Sequence, residues 1–227
     1  MPLRAVIFDF DGVIVDTESM HLKAAQSVLA DVGIALDMPD YYERYLGFDD
    51  AGMFRAIASD RGVPFDNRVV ANLVRRKSQM LISLMDDGAA MFAGAAECVG
   101  RCAAEVPLAI ASGALRHEID MILSRIGLRQ AFQVIVGAED APRSKPAPDP
   151  YVRVVELLRG VVASHELTAG DCVAIEDSQW GLESARAAGV HCVAVAHTYP
   201  IERLRGADFI ARTLDEITVE RLRTICS

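Results

Sequence analysis

Asp9 and Asp11 stand two residues apart at the end of an apolar run, in Ala5-Val6-Ile7-Phe8-Asp9-Phe10-Asp11-Gly12. Four apolar residues in a row, Ala5 to Phe8, read as a strand buried on both faces, as in a parallel sheet. A backbone of period two aims both carboxylates the same way. Two carboxylates side by side repel unless a cation or a shared proton relieves them. Open α/β sheets bind their ligands at the C-terminal ends of parallel strands, so this pair predicts a metal-assisted site there.

Three further apolar runs end in polar residues. Leu108-Ala109-Ile110-Ala111 leads to Ser112-Gly113. Val134-Ile135-Val136 leads to a proline-punctuated loop carrying Lys145. Cys172-Val173-Ala174-Ile175 leads to Glu176-Asp177. In one parallel sheet these ends converge on one rim and bring together four carboxylates, a hydroxyl with a glycine amide, and an ammonium. Carboxylate oxygens are hard donors, suited to Mg²⁺ with waters and a phosphate completing its shell. The ammonium, the hydroxyl and backbone N–H groups are then left for phosphoryl oxygens. Each piece alone has a plainer reading. Asp11-Gly12 is a turn signal, Ser112 and Asp177 are candidate helix caps, and Lys145 is a candidate solvated loop lysine. Their conjunction favours the site.

The elements that must hold these residues are legible as well. A helix opens at Glu18 or Ser19 with Leu22, Ala25, Leu29 and Val32 on one stripe, and Gly33 stops it. Pro39 starts a short helix toward Leu46. Asp49 or Asp50 caps another, and Asp66 caps a long one carrying Val69, Leu73, Met80 and Leu84 as far as Asp87-Gly88. No strand signal appears between about 19 and 88. The expectation is therefore a helical block, residues 17–88, inserted into an α/β core formed by residues 1–16 and 89–227. In that core strands near 4–10, 108–111, 134–136, 172–175, 191–195 and 208–210 alternate with helices. Asp149 is expected to cap one of these helices, with Pro150 at its first position. Strand and helix in alternation predict a doubly wound parallel sheet with right-handed crossovers.

The bulk properties narrow the function. A formal net charge of -9 leaves no basic surplus for neutralising nucleic-acid phosphates or an anionic membrane. A small anionic substrate remains open, because a local cationic pocket overrides the global field. No run of 18 apolar residues suggests a membrane span, and the N-terminal residues show no secretory signal pattern. The five cysteines are scattered, odd in number and without a Cys-x-x-Cys pair, which is the usage of a reduced, cytoplasmic protein. Cys98 and Cys102 share a helix face and are expected in the core rather than at a zinc site.

At the four strand ends the sequence resembles the haloacid dehalogenase superfamily, in its phosphatase and phosphomutase branch. The matching stretches are Asp9-Phe10-Asp11-Gly12-Val13, Ser112, Ser144-Lys145-Pro146 and Ile175-Glu176-Asp177-Ser178, in the family's order over nearly the whole chain. The resemblance implies a Rossmann-like core with a mobile helical cap inserted after the first motif. It also implies roles. Asp9 would be the nucleophile that forms an aspartyl-phosphate, and Asp11 the general acid and base. Mg²⁺ would sit on the Asp9 carboxylate, the Asp11 backbone carbonyl and Asp177, with Glu176 binding directly or through water. Ser112 and Lys145 would bind the phosphoryl group, beside Gly12 and Gly113.

The nearest subfamily is similar to β-phosphoglucomutase. Asp16-Thr17 and His21 match its hinge motif, Lys77 falls where that mutase has a cap lysine, and Gly47 matches its cap-loop glycine. The same loop departs from the mutase pattern: Leu46 precedes Gly47 and Phe48-Asp49-Asp50 follow, where the mutase places cations. An acidic pair would repel a second phosphate, unless Asp49 and Asp50 serve as helix caps. Arg116 is a candidate substrate-facing cation from the core. The expectation is a Mg²⁺-dependent phosphatase of a small phosphorylated metabolite, a sugar or polyol phosphate, working as a monomer. The rivals are a phosphomutase, a dehalogenase or phosphonatase, and a non-enzymatic binding protein of the same fold.

Overall fold

The structure is a computed structural model that describes residues 2–46, 48–86, 90–162 and 166–226. It divides into two compact units, residues 1–15 with 91–227 and residues 16–90. The first is α/β. Its strands are β1 (Ala5–Phe8), β4 (Leu108–Ala111), β5 (Phe132–Val136), β6 (Cys172–Glu176), β7 (His191–Val195) and β8 (Phe209–Ala211). They form a sheet in the order β5-β4-β1-β6-β7-β8, and every pair is parallel. The helices α5 (Ala95–Ala103), α6 (Arg116–Arg125), α7 (Asp149–Val161), α8 (Gln179–Ala187) and α9 (Val219–Ile225) alternate with the strands. This is the doubly wound, Rossmann-like architecture that the alternation predicts. The strand order reverses at β1, which lies between β4 and β6, and that places the topological switch point at the end of β1.

The central strands are continuous apolar runs because both faces are covered. Every residue of β1, β4 and β6 is buried. β1 is shorter than the expected strand over 4–10. Asp9 still donates its N–H to the Ile175 carbonyl at 2.9 Å, but the Phe10 N–H turns to the Asp9 carboxylate. The chain then closes a tight loop in which Ile14 donates to the Phe10 carbonyl and Gly12 to the Val15 carbonyl, both at 2.9 Å. At α7 the cap position belongs to Pro148, and Asp149 is the first helical residue rather than the cap. Its carboxylate takes the Arg143 guanidinium instead, at 3.1 and 2.9 Å, which holds it below the usual carboxylate range.

The second unit is helical, with α1 (Glu18–Ala30), a short α2 (Met38–Asp40) running into a π-helical turn, α3 (Asp50–Asp60) and α4 (Asn67–Asp86). Its core gathers Leu22, Val28, Leu29, Tyr41, Tyr45, Phe54, Ile57 and Leu73. Two expected stripe positions lie elsewhere. Val32 and Met80 are exposed, at 39% and 37%. α1 ends at Ala30, so Val28 takes the place expected of Val32, and the buried stripe of α4 runs through Val70, Leu73, Lys77 and Leu81. Two-residue strands, β2 (Val15–Asp16) and β3 (Ala90–Met91), pair where the chain passes between the units. The stop expected after α4, Asp87-Gly88, lies outside the described residues.

All five cysteines are buried and no disulfide joins them. Cys98 and Cys102 lie on the buried face of α5, as expected of core residues. Among the described residues no helix is long and apolar enough to cross a membrane.

Candidate active site

Register decides what meets at the rim. Phe8 pairs with Ile110 on one side and Ile175 on the other, so Asp9, Ser112 and Glu176-Asp177 all emerge within two residues of the same row. Asp9, Ser112, Glu176 and Asp177 are each less than a tenth exposed. Lys145 arrives from the loop before α7. Its Nζ lies 3.0 Å from Asp9 Oδ1 and 2.6 Å from Glu176 Oε1. The phenol of Tyr151, fully buried on α7, donates to the same Glu176 oxygen at 2.5 Å, and the ammonium sits 5.5 Å from its ring centroid.

Two glycines make room for these carboxylates. Gly12 has φ +78°, and a Cβ there would lie 2.0 Å from Asp177 Oδ2. A Cβ at Gly181 would lie 1.9 Å from Glu176 Oε2. Any other residue at either position displaces an acid from the site. Ser178 caps α8 by accepting from the Gly181 N–H at 3.1 Å, which leaves Asp177 clear of the capping job.

Charge is out of balance in this cluster. Burial, then the Glu176 charge, push the Asp9 carboxyl well above the usual range, against the pull of Lys145. Burial opposes the Lys145 charge, but the Asp9 and Glu176 carboxylates outweigh it and lift the lysine above its ordinary value. Burial and then Glu176 raise Tyr151, so the phenol stays protonated and donates. Ligand oxygens of Asp9, Glu176 and Asp177 lie within 4.8 Å of one another. Three buried carboxylates against one ammonium, all with hard oxygen donors, fit a small divalent cation such as Mg²⁺.

Ser112 Oγ accepts from the Ala114 N–H at 3.0 Å, and Ser112, Gly113, Ser144 and Lys145 line a common pocket with Gly137 and Pro150. Arg116 opens α6 and pairs with Asp140 at 2.7 Å, with its side chain 38% exposed. Thr17, His21 and Lys77 belong to the helical unit. Thr17 is buried at the start of α1, and its carbonyl accepts from the His21 N–H at 2.9 Å. Lys77 is buried too, ion-paired with Asp50 and 2.9 Å from His21 Nδ1. Gly47 lies outside the described residues. Asp49 caps α3, accepting from the Gly52 N–H at 2.6 Å, and Asp50 is neutralised by Lys77. The acidic pair is therefore committed within its own unit: Asp49 is the helix cap that the sequence allowed, and Asp50 is an ion-pair partner rather than a cap.

Sequence reasoning missed two residues here. Tyr151 is one. It sits on the buried stripe of α7 with Val154, Val155 and Leu158, and a buried phenol needs a polar partner. His197 is the other. It follows β7 at the same rim, and its Nδ1 lies 3.0 Å from the Gly12 carbonyl. The end of β7 carries the same positional signal as the four strand ends that sequence reading used.

A family model described as haloacid dehalogenase-like hydrolase matches residues 6–195. The chain is 32% identical to Protein CbbY of Rhodobacter capsulatus over 219 residues, covering 93% of this chain and 91% of that one. It is 29% identical to Hexitol phosphatase B of Escherichia coli strain K12 over 225 residues, covering 97% and 96%. The crystal structure of β-phosphoglucomutase from Clostridium difficile superposes with a TM-score of 0.86 at 20% identity, covering 99% of this chain and 97% of that one, a likeness of fold.

Proposed function

The chain belongs to the haloacid dehalogenase-like hydrolase family, and on that footing we propose that it is a Mg²⁺-dependent phosphatase of a small metabolite, a sugar or polyol phosphate. The observation that carries the reading is the buried surplus of carboxylates around Lys145 at the switch point of the sheet. A site that only held an anion would gather cations, whereas this one gathers acids and needs a cation to receive a phosphate.

Asp9 attacks phosphorus through a carboxylate oxygen, and the bond to the ester oxygen breaks as Asp11 gives that oxygen its proton. Water then gives a proton to Asp11 and attacks the aspartyl-phosphate, releasing phosphate and restoring Asp9. Ser112 and Lys145 hold the phosphoryl oxygens, with the backbone at Gly12 and Gly113 beside them. Asp9, Asp177, Glu176 and the Asp11 carbonyl would hold Mg²⁺, which supplies charge shielding between Asp9 and an anionic substrate when bound. Residues 17–88 serve as a cap, with Thr17 and His21 at its hinge and Gly47 and Arg116 as candidate substrate contacts; Lys77, expected beside them, is instead paired with Asp50. The protein works as a cytoplasmic monomer.

The phosphomutase rival shares every core residue. Hydrolysis is favoured because the buried cation of the helical unit, Lys77, is already paired with Asp50 rather than offered to a second phosphate. Phosphate release from a panel of sugar and polyol phosphates with MgCl₂ tests the reading. Isomerisation of a sugar phosphate without free phosphate would overturn hydrolysis in favour of the mutase. No turnover of any ester, including p-nitrophenyl phosphate, would point to the binding protein.

A further inference from the structure

We propose that His197 is a positioning residue for the general acid and base Asp11, acting through the Gly12 carbonyl; the role rests on the phosphatase reading above. The loop from Phe10 to Val15 contains its own hydrogen bonds, but glycine at φ +78° gives the backbone after Asp11 more freedom than any other residue would. That freedom cannot be removed by substitution, because the Asp177 carboxylate occupies the space of a Cβ. The restraint must come from outside the loop.

His197 supplies it. A carbonyl only accepts, so the imidazole donates from Nδ1 to Gly12 at 3.0 Å. Its ring stacks on Phe92 with centroids 4.0 Å apart and planes 18° from parallel. The Phe92 N–H in turn donates to the Ile14 carbonyl at 3.1 Å. One stacked pair thus pins two carbonyls of the loop, and the Gly12 N–H is fixed by Val15. The carbonyl lies in the peptide after Gly12 and the N–H in the peptide that joins it to Asp11, so holding both fixes the two torsions of Gly12 and with them the course of the chain at Asp11. A general acid acts only within hydrogen-bond reach of the oxygen it protonates, so this restraint bears on proton transfer.

The test separates proton transfer from general disruption. An alkyl phosphate such as a hexitol phosphate needs its leaving oxygen protonated, whereas p-nitrophenyl phosphate barely does. His197→Phe keeps the stacking ring and removes the donor. It should lower kcat/KM, which reads the steps up to departure of the leaving group and not the shared hydrolysis of the aspartyl-phosphate, about tenfold on the alkyl ester and less than about threefold on the p-nitrophenyl ester. His197→Asn restores a donor near the Nδ1 position and should recover most of the loss. Equal losses on both esters in both variants, tracking a fall in Tm, would show a merely structural histidine and overturn the proposal. Asp11→Asn is the reference. If wild type turns over both esters but the loss of kcat/KM in Asp11→Asn shows no leaving-group dependence, the acid–base assignment fails, and the positioning role with it.

Discussion

Each unit buries one lysine against carboxylate, and the two clusters differ in arithmetic. In the α/β unit Lys145 meets Asp9 and Glu176, with Asp177 in the same group: three carboxylates to one ammonium. In the helical unit Lys77 meets Asp50, with the His21 ring alongside: one to one. A buried ion pair that balances needs nothing more and ties helices together. A buried surplus of acid is costly until a cation or a proton arrives. Burial alone therefore does not mark a site. The unbalanced charge is what distinguishes the candidate site, because it costs stability that a bound cation would return.

The same chemical change should have opposite consequences in the two clusters. Asp9→Asn removes the proposed nucleophile and should lower kcat by at least about 10³-fold in phosphate-release assays. Full activity in that variant would rule out the covalent route. It also removes one of the competing acids, so in EDTA the variant should melt higher than wild type by calorimetry. Asp50→Asn should melt lower. Equal signs would break the distinction between site and strut.

Metal and pH sharpen the contrast in the α/β unit. The Asp9 carboxyl is raised in the folded protein, so folding favours its neutral form. Without metal, its contribution to stability is complete at low pH and turns into a growing penalty as pH rises from about 4 toward the raised folded value. In EDTA the Tm gap between Asp9→Asn and wild type should therefore widen with rising pH. Protons and Mg²⁺ compete for the same oxygens, so titration calorimetry should show Mg²⁺ binding weaken as pH falls. A pH-independent affinity would remove Asp9 from the metal site.

Much of the α/β unit was legible in sequence because parallel strands buried on both faces are unbroken apolar runs. β4 and β7 begin and end at the expected residues, and β1 is shorter at both ends, stopping at Phe8 where Asp9 takes the Phe10 N–H. Residues at the ends of such runs inherit a known position, which is why the placement of Asp9, Ser112, Glu176 and Asp177 at one rim could be read in advance. Tyr151 and His197 depend on contacts across 25 and 185 residues, which no local pattern encodes. β2 and β3 are two residues long, too short for periodicity. The sequence offered Lys77 as a counterpart of the mutase's cap lysine, facing substrate. Its spacing from Leu73 and Leu81 puts it on the buried stripe, and that pattern alone called for a partner.

The helical cluster yields the smallest and most asymmetric effects. Lys77 is 1% exposed, whereas the Asp50 side chain is 22% exposed. Asp50→Asn strands a positive charge that has no route to water, and should cost about 3 kcal/mol in denaturant unfolding. Lys77→Met leaves a carboxylate that can turn outward, and puts an apolar side chain on an apolar stripe. That variant should lose about 1 kcal/mol. Combining Lys77→Met with Asp50→Asn should recover most of the Asp50→Asn loss, since the stranded charge is gone. If the two single losses simply add, the pair is not coupled and Lys77 is not the strut that its burial indicates. If Lys77→Met costs more than Asp50→Asn, the carboxylate rather than the ammonium is the group that cannot reach solvent, and the assignment of the buried partner is reversed.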